Sequence, residues 1–296
     1  MNIRDLQYLI AVHDLKNFSK AAEHCFVSQP TLSGQLKKME EELGAQLIER
    51  STRKVIFTYL GEEVVAKARQ VLLAVEQIKN LAIQYQDPMS GDFHLGLIPT
   101  ISPFLLPLIM PVFFSAFPKM NFYLYELQTE ELIKKLLKGE LDAGVLAKLD
   151  WDYPIEEIPL YSEELKLALS SDDALAMDGE KVSLNVLEGR SVLVLEDGHC
   201  LRDQALGVCF SSGAQEDQRY QATSMDTLLH MISSGAGMTL VPQLACNEDL
   251  AGVTFLNFTA PVPKRDIIMI VRKNAVRVEL INKIVDVIAD TVPINI

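Results

Sequence analysis

From Val64 to Tyr85, apolar residues recur without a miss at spacings of 4, 3, 4, 3, 4 and 3, through Val64, Ala68, Val71, Val75, Ile78, Ala82 and Tyr85. This is a heptad seam sustained for three repeats, and it predicts a long helix that pairs with a second copy of itself. A core helix can carry the same stripe, but so regular a run favours self-association. The seam divides the chain. An N-terminal part occupies 1–58, the helix itself 59–87 with Thr58 placed to cap its start, and a C-terminal part 88–296, entered through the hinge-like Pro88-Met-Ser-Gly91.

Two short helices are expected ahead of the seam. Leu6, Leu9, Ile10 and His13 fall on one face of the first, and the second runs from Ser19 to Phe26 with Ala21, Ala22 and Cys25 inward. A third helix comes after Val27, with Ser28 as N-cap and Pro30 in the first turn, where it removes no helical hydrogen bond. Leu32, Leu36, Met39 and Leu43 make its buried stripe, which leaves Thr31, Ser33, Gln35, Lys37 and Lys38 outward beside the leading Ser28, Gln29 and Pro30. Hydroxyls, amides and lysines are the groups that reach base edges and phosphates when a helix lies in a major groove. Leu47 to Thr58 reads as a two-stranded wing whose Arg50, Arg53 and Lys54 suit the nucleic-acid backbone. An ordinary amphipathic helix with a solvated face is the competing reading.

A formal charge of -13 argues against a polyanionic partner until it is divided along the chain. Residues 1–87 hold 11 Lys+Arg against 11 Asp+Glu, leaving 16 against 29 for the rest. The acidity belongs to the C-terminal part, so the N-terminal part remains free to meet DNA if its cations cluster. No apolar run reaches the length of a membrane span, and Met1 to Leu15 carries charges through its pattern in place of a signal-peptide core, so a soluble, cytoplasmic protein is expected. In that reducing compartment four cysteines build no disulfide scaffold, and any bridge should be transient. Neither a metal-ligand spacing nor a Gly-rich nucleotide loop is present, so no cofactor is expected.

Cys200 and Cys209 are nine residues apart. On a helix their Cα atoms would lie roughly 13 Å apart, whereas a disulfide tolerates about 4.4 to 6.8 Å. Bonding them requires the segment to unravel, which makes the pair a candidate redox switch. Two inert buried thiols are the simpler alternative. Cys25 should be of that kind, and Cys246 has no evident role.

Phe18-Ser-Lys-Ala-Ala22, Val27-Ser-Gln-Pro-Thr-Leu-Ser-Gly-Gln-Leu36, Glu40-Glu-Glu-Leu-Gly44 and Leu47-Ile-Glu-Arg50 strongly resemble the LysR-type transcriptional regulators. Glu196-Asp-Gly-His-Cys-Leu-Arg-Asp-Gln-Ala205 with Cys209 is similar to the peroxide-sensing members of that family. The resemblance implies an α/β chain with a winged helix-turn-helix at 1–58, a coiled-coil linker helix, and an effector domain of two α/β subdomains resembling periplasmic binding proteins. Subdomain I is expected at about 88–163 and 267–296, subdomain II at about 164–266. It further implies a homotetrameric activator that binds promoter DNA, meets RNA polymerase, and is reset by a thiol reductant such as a glutaredoxin. The local pattern agrees with parallel βαβ units: strands at Asp92–Ile98, Phe122–Leu127 and Asp142–Leu146 alternate with helices at Phe104–Phe117 and Glu130–Leu137. Val192–Leu195, the helix Leu228–Ser233 and Met238–Val241 supply the second subdomain, and Ile267–Val271 returns to the first.

By the same resemblance Cys200 is the peroxidatic cysteine and Cys209 the resolving one. Cys200 comes after a strand and opens a helix, so helix-end amides should favour its thiolate. His199 and Arg202 would add to this and Glu196, Asp197 and Asp203 oppose it. Thr100 and Thr129 lie just after strands, where the resemblance gives them to peroxide and a water; each is equally placed to cap the next helix. Arg265 and Gln204 are weaker candidates for steadying the anion, since lone polar residues are usually solvated. Two other functions compete: a regulator that takes a small organic anion in the cleft between subdomains, where helix N-termini gather, and a thiol peroxidase, whose usual Pro, Thr and Cys constellation is missing ahead of Cys200.

Overall fold

The computed structural model describes residues 1–49, 55–177 and 181–293, without the side chains of 80–86. Arg50, Arg53 and Lys54, and the seam side chains of Ala82 and Tyr85, lie outside the described residues. The chain forms two compact units, Met1–Tyr85 and Gln86–Ile296.

In the first unit, α1 (Ile3–Leu15), α2 (Phe18–His24) and α3 (Gln29–Leu43) close around Leu9, Val12, Ala21, Leu32 and Met39. Each start has a side-chain cap. Asn2 takes the first turn of α1, Asn17 accepts from Lys20 N at 3.0 Å, and Ser28 accepts from Thr31 N at 3.3 Å. Gly44, at φ +67°, ends α3 in the left-handed region that costs glycine nothing. Two expectations need correction. The second helix stops at His24, because Cys25 caps it and Phe26 turns to φ +55°. Leu43 is 43% exposed, outside the stripe that buries Leu32, Leu36 and Met39.

The wing is present as β1 (Ile48–Glu49) paired antiparallel with β2 (Ile56–Phe57). Thr58 then caps α4 (Tyr59–Gln86), its hydroxyl accepting from Gly61 N at 3.0 Å. The seam is not one face of the unit's core. Ala68 is buried there, but Val71 and Ile78 stand 45% and 66% exposed, and Val65, outside the seam, is the buried valine.

The second unit contains a mixed sheet. Its elements are β3 (Ser90–Leu97), α5 (Ser102–Ala116), β4 (Lys119–Glu126), α6 (Thr129–Lys138), β5 (Ala143–Ala147), β6 (Ile155–Ser170), α7 (Ala174–Met177), β7 (Lys181–Val182), β8 (Ser191–Val192), α8 (Cys200–Ser211), β9 (Gln215–Glu216), α9 (Met225–Ser233), β10 (Met238–Pro242), β11 (Val253–Phe258), β12 (Lys264–Arg272) and α10 (Val278–Thr291). The strand order is β4-β3-β5-β12-β6-β10-β8-β9, with β11 also on β6. β3 runs parallel to β4 and β5, as the alternation of strand and helix predicts. β12 is antiparallel to β5 and β6, and β6 is antiparallel to β10 and β11. Gly144 lets α6 approach the sheet, because a Cβ there would collide with Leu132.

β6 serves both halves of this sheet. Its first ten residues, 155–164, pair with β12, and 165–170 pair with β10 and β11. Pro159 is tolerated because the ladder with β12 slips at Ile267/Ile268, leaving Leu160 as the extra residue of a bulge. Three apolar cores flank this strand: one holds Leu95, Leu105, Leu132, Ile268 and Ile284, a second Leu167, Leu187, Val192, Leu240 and Phe258, and a third Leu165, Ala168, Leu193, Leu228 and Val241. The expected strand Val192–Leu195 is shorter, Ser191–Val192, with a single further bridge from Leu195 to Ala222. The expected hinge is already structured: Ser90 and Gly91 pair with Lys119 and Met120, and the Arg277 guanidinium donates to the carbonyls of Pro88, Ser90 and Asp92.

Candidate functional site

α8 runs unbroken from Cys200 to Ser211, so both sulfurs belong to one helix and both thiols are free. The helix touches all three cores, with Leu201 in the third. Cys200, 3% exposed, packs into the first, and Cys209, fully buried, into the second beside Leu187, Val192 and Ala214. Nine residues of helix keep the Cα atoms about 13 Å apart.

Around Cys200 the sheet ends supply polar groups. The main-chain amides of Leu201 and Ala147 and the Thr129 hydroxyl all favour its anion. Thr129 is buried, opens α6, and its hydroxyl has no well-formed hydrogen bond of its own. Arg265, 2% exposed, is near enough for its charge to be felt at the sulfur. Its Nη1 donates to Thr100 Oγ1 and its Nη2 to Thr100 O, both at 3.1 Å. Burial nevertheless outweighs these groups and pushes the Cys200 thiol up. Cys209 has burial alone and is pushed up to about 11. Cys246 gives its thiol hydrogen to Pro242 O at 3.5 Å and is pushed up to about 12, chiefly by burial.

Several expectations change. Thr100 and Thr129 cap nothing: Ile101 and Gln128 hold the cap positions of α5 and α6. Arg265 is the most enclosed cation of the site, not a solvated one. His199 is buried and its pKa is lowered, mainly by burial against the pull of Glu196 and Glu126, so it lends no charge to the neighbouring sulfur at neutral pH. Arg202 is occupied elsewhere, with Asp197 at 2.9 Å and Glu216 at 2.8 Å. Gln204 reaches only Lys148 O, at 3.5 Å, and its buried Oε1 has no partner among the described residues.

One member escaped the sequence reading. Glu163 is fully buried at its carboxylate and meets Arg265 across the β6–β12 ladder, with Oε1 2.8 Å from Nε and 2.7 Å from Nη2. The signal was present in the alternation: Tyr161, Glu163, Leu165, Leu167 and Leu169 share the buried side of β6, so a carboxylate there must have a buried partner. The cleft beside His199, about 280 Å³, is lined by Glu126, Glu196 and Asp226 together with Phe104 and Met225. Three carboxylates make it a poor host for an organic anion, despite the start of α9 at its edge.

On the α3 face, Gln29, Pro30, Thr31, Lys37 and Lys38 are exposed, while Ser33 and Gln35 are half-buried. Ser28 and Thr31 share a hydroxyl hydrogen bond of 2.7 Å. Lys37 lies 3.7 Å from Glu41. Among the described residues no helix is long and apolar enough to cross a membrane, and no group of three or more acidic, His or Cys side chains is arranged to hold a metal.

Residues 3–62 match the bacterial regulatory helix-turn-helix proteins of the lysR family, and residues 86–293 the LysR substrate binding domain. The chain is 47% identical over 274 residues to the "Hydrogen peroxide-inducible genes activator" of Dickeya chrysanthemi, covering 92% of this chain and 90% of that one. A full-length OxyR variant from Pseudomonas aeruginosa superposes with a TM-score of 0.79 at 32% identity, covering 97% and 94%. A hydrogen-peroxide-bound OxyR mutant from Corynebacterium glutamicum superposes with 0.67 at 30%, covering 98% and 92%.

Proposed function

The chain belongs to the LysR family of bacterial helix-turn-helix regulators, and from that membership we propose that it is a transcriptional activator switched by hydrogen peroxide at Cys200. The observation that carries this reading is the placement of the two thiols on one helix. Cys200 opens α8 beside Thr129 and Arg265, which in turn holds Thr100, and Cys209 closes it inside an apolar core. Relatives support the chemistry, one being named for peroxide induction and another bound to hydrogen peroxide.

The Cys200 sulfur, as its thiolate, attacks one peroxide oxygen. The O–O bond breaks, the departing hydroxide takes up a proton to leave as water, and the sulfur, oxidised by two electrons, becomes a sulfenic acid. Thr129 and Thr100 both donate and accept, which matches a ligand with the same double character. Arg265 stabilises the charge that develops on the departing oxygen. Cys209 then attacks the sulfenic sulfur, a second water leaves, and the disulfide forms. That step requires α8 to unwind by several residues, because its ends cannot otherwise meet. A dithiol such as a glutaredoxin restores the pair, taking the bridge as its own disulfide.

A sensor needs one such cycle per signal, and refolding a helix in each round suits signalling better than turnover. We place the output in the N-terminal unit: Ser28, Gln29, Pro30, Thr31, Ser33, Gln35, Lys37 and Lys38 on promoter DNA, with Arg50, Arg53 and Lys54 on its backbone. The division is 1–58, 59–87 and 88–296, with effector subdomains I (88–163 and 267–296) and II (164–266). The protein acts in the cytoplasm as a homotetramer with RNA polymerase. His199 and Gln204 serve as neutral neighbours of the thiol. The test is peptide mapping after treatment with peroxide: the wild type should yield a Cys200–Cys209 bridge, and Cys209→Ser should stop at oxidised Cys200. Peroxide-dependent promoter switching retained by Cys200→Ala would overturn the proposal.

A further inference from the structure

The cleft beside His199 disfavours anions, and what it offers a cation goes beyond its charge. Glu126 ends β4, Glu196 precedes the loop that leads into α8, and Asp226 lies in the first turn of α9, so three separate elements bring carboxylates to one cavity of about 280 Å³. None of the three pairs with a lysine or arginine among the described residues. Like charges gathered in this way repel one another and focus a negative potential into the cleft. Its walls are set close together. Gly198, at φ +95°, brings the loop carrying Glu196 and His199 so near Gln128 that a Cβ would fall 2.6 Å from the side-chain amide.

His199 supplies the second observation. It is 4% exposed, lines the cleft, and its Nδ1 has no hydrogen-bond partner among the described residues. Burial keeps the ring neutral near pH 7, and a neutral imidazole with its proton on Nε2 presents Nδ1 as an acceptor. A buried acceptor without a donor is costly, and here the chain itself provides none. The bare nitrogen and the unpaired carboxylates call for the same complement: a positive group with several N–H donors, which a primary ammonium has. A metal ion fits less well, because among the described residues no three acidic, His or Cys side chains are grouped to hold one. Phe104 and Met225, both of the third apolar core, give the cleft an apolar wall suited to methylenes.

We propose that this cleft binds a short aliphatic diamine, one ammonium donating to His199 Nδ1 and Glu196, the other held by the carboxylates of Asp226 and Glu126. The site is distinct from the Cys200 sulfur and stands apart from the peroxide chemistry. It gives α8 a second input, since His199 occupies the cap position immediately before Cys200.

The experiment is isothermal titration calorimetry of the reduced, full-length protein with putrescine, at an ionic strength of about 0.15 M, where loose attraction to the acidic surface is screened. Saturable binding of one putrescine per chain is expected. Glu196→Gln and Asp226→Asn each remove a charge and keep the side-chain shape, and each should weaken binding about tenfold. His199→Phe keeps a ring but removes Nδ1, and should weaken it by a similar factor. The uncharged diol of the same length should give no binding heat. Should Glu196→Gln or His199→Phe fail to fold, Asp226→Asn, on a different helix, carries the same test. Heats that do not saturate, that magnesium ion reproduces at equal concentration, or that are unchanged in the folded variants overturn the proposal. No oxidant enters the titration, so its outcome is independent of whether the Cys200–Cys209 bridge forms.

Discussion

At the level of single residues, the two cysteines differ in what surrounds them. Cys200 has donors for its anion and a cation near it, while Cys209 has burial alone. The second condition has a thermodynamic consequence. Cys209 in the folded chain ionises at about 11 against an ordinary value of 9.0, so the unfolded chain releases this proton first. Its contribution to stability is complete below pH 9 and is lost as pH rises toward 11, by on the order of 2 kcal/mol. Denaturant titrations should show this alkaline loss in the wild type and a smaller loss in Cys209→Ala, the remainder coming from Cys200 and Cys246, whose thiols are also raised.

At the level of elements, α8 is a helix with little to spare. Its N-cap side chain forms no capping bond, its last turn has no basic residue, and Gly207 sits in the middle where a Cβ would meet open space. Gly207→Ala should therefore strengthen the reduced helix by about 1 kcal/mol. Stopped-flow oxidation of that variant should show the first step at Cys200 unchanged and disulfide closure slowed about fivefold. The sequence announced α8 through its opening Cys200 and the parallel βαβ order through alternating patterns. It left β6 unassigned, because the bulge that accommodates Pro159 within a strand is set by the partner strand and not by local pattern. The alternation marks Glu163 as an inward carboxylate, but its partner a hundred residues away is a property of register, not of local spacing. The heptad seam was legible as a pattern; within one chain Val65 is the valine of this helix that turns inward, and Val71 and Ile78 of the seam stay exposed.

At the level of the molecule, the net charge of -13 and a nucleic-acid partner coexist because the charge is unevenly distributed. DNA affinity should then depend on few cations. Lys38 is exposed on α3, and Lys38→Ala should lower the slope of log affinity against log salt by about 1, uniformly across operator sequences, as measured by fluorescence anisotropy. An unaltered slope would remove Lys38 from the interface. The larger constraint on signalling comes from β6. One strand threads both lobes of the effector unit and is laced to β12 in the first and to β10 and β11 in the second. A splint of that kind ties the lobes to one another, so a coil of chain that comes undone between them is felt in both.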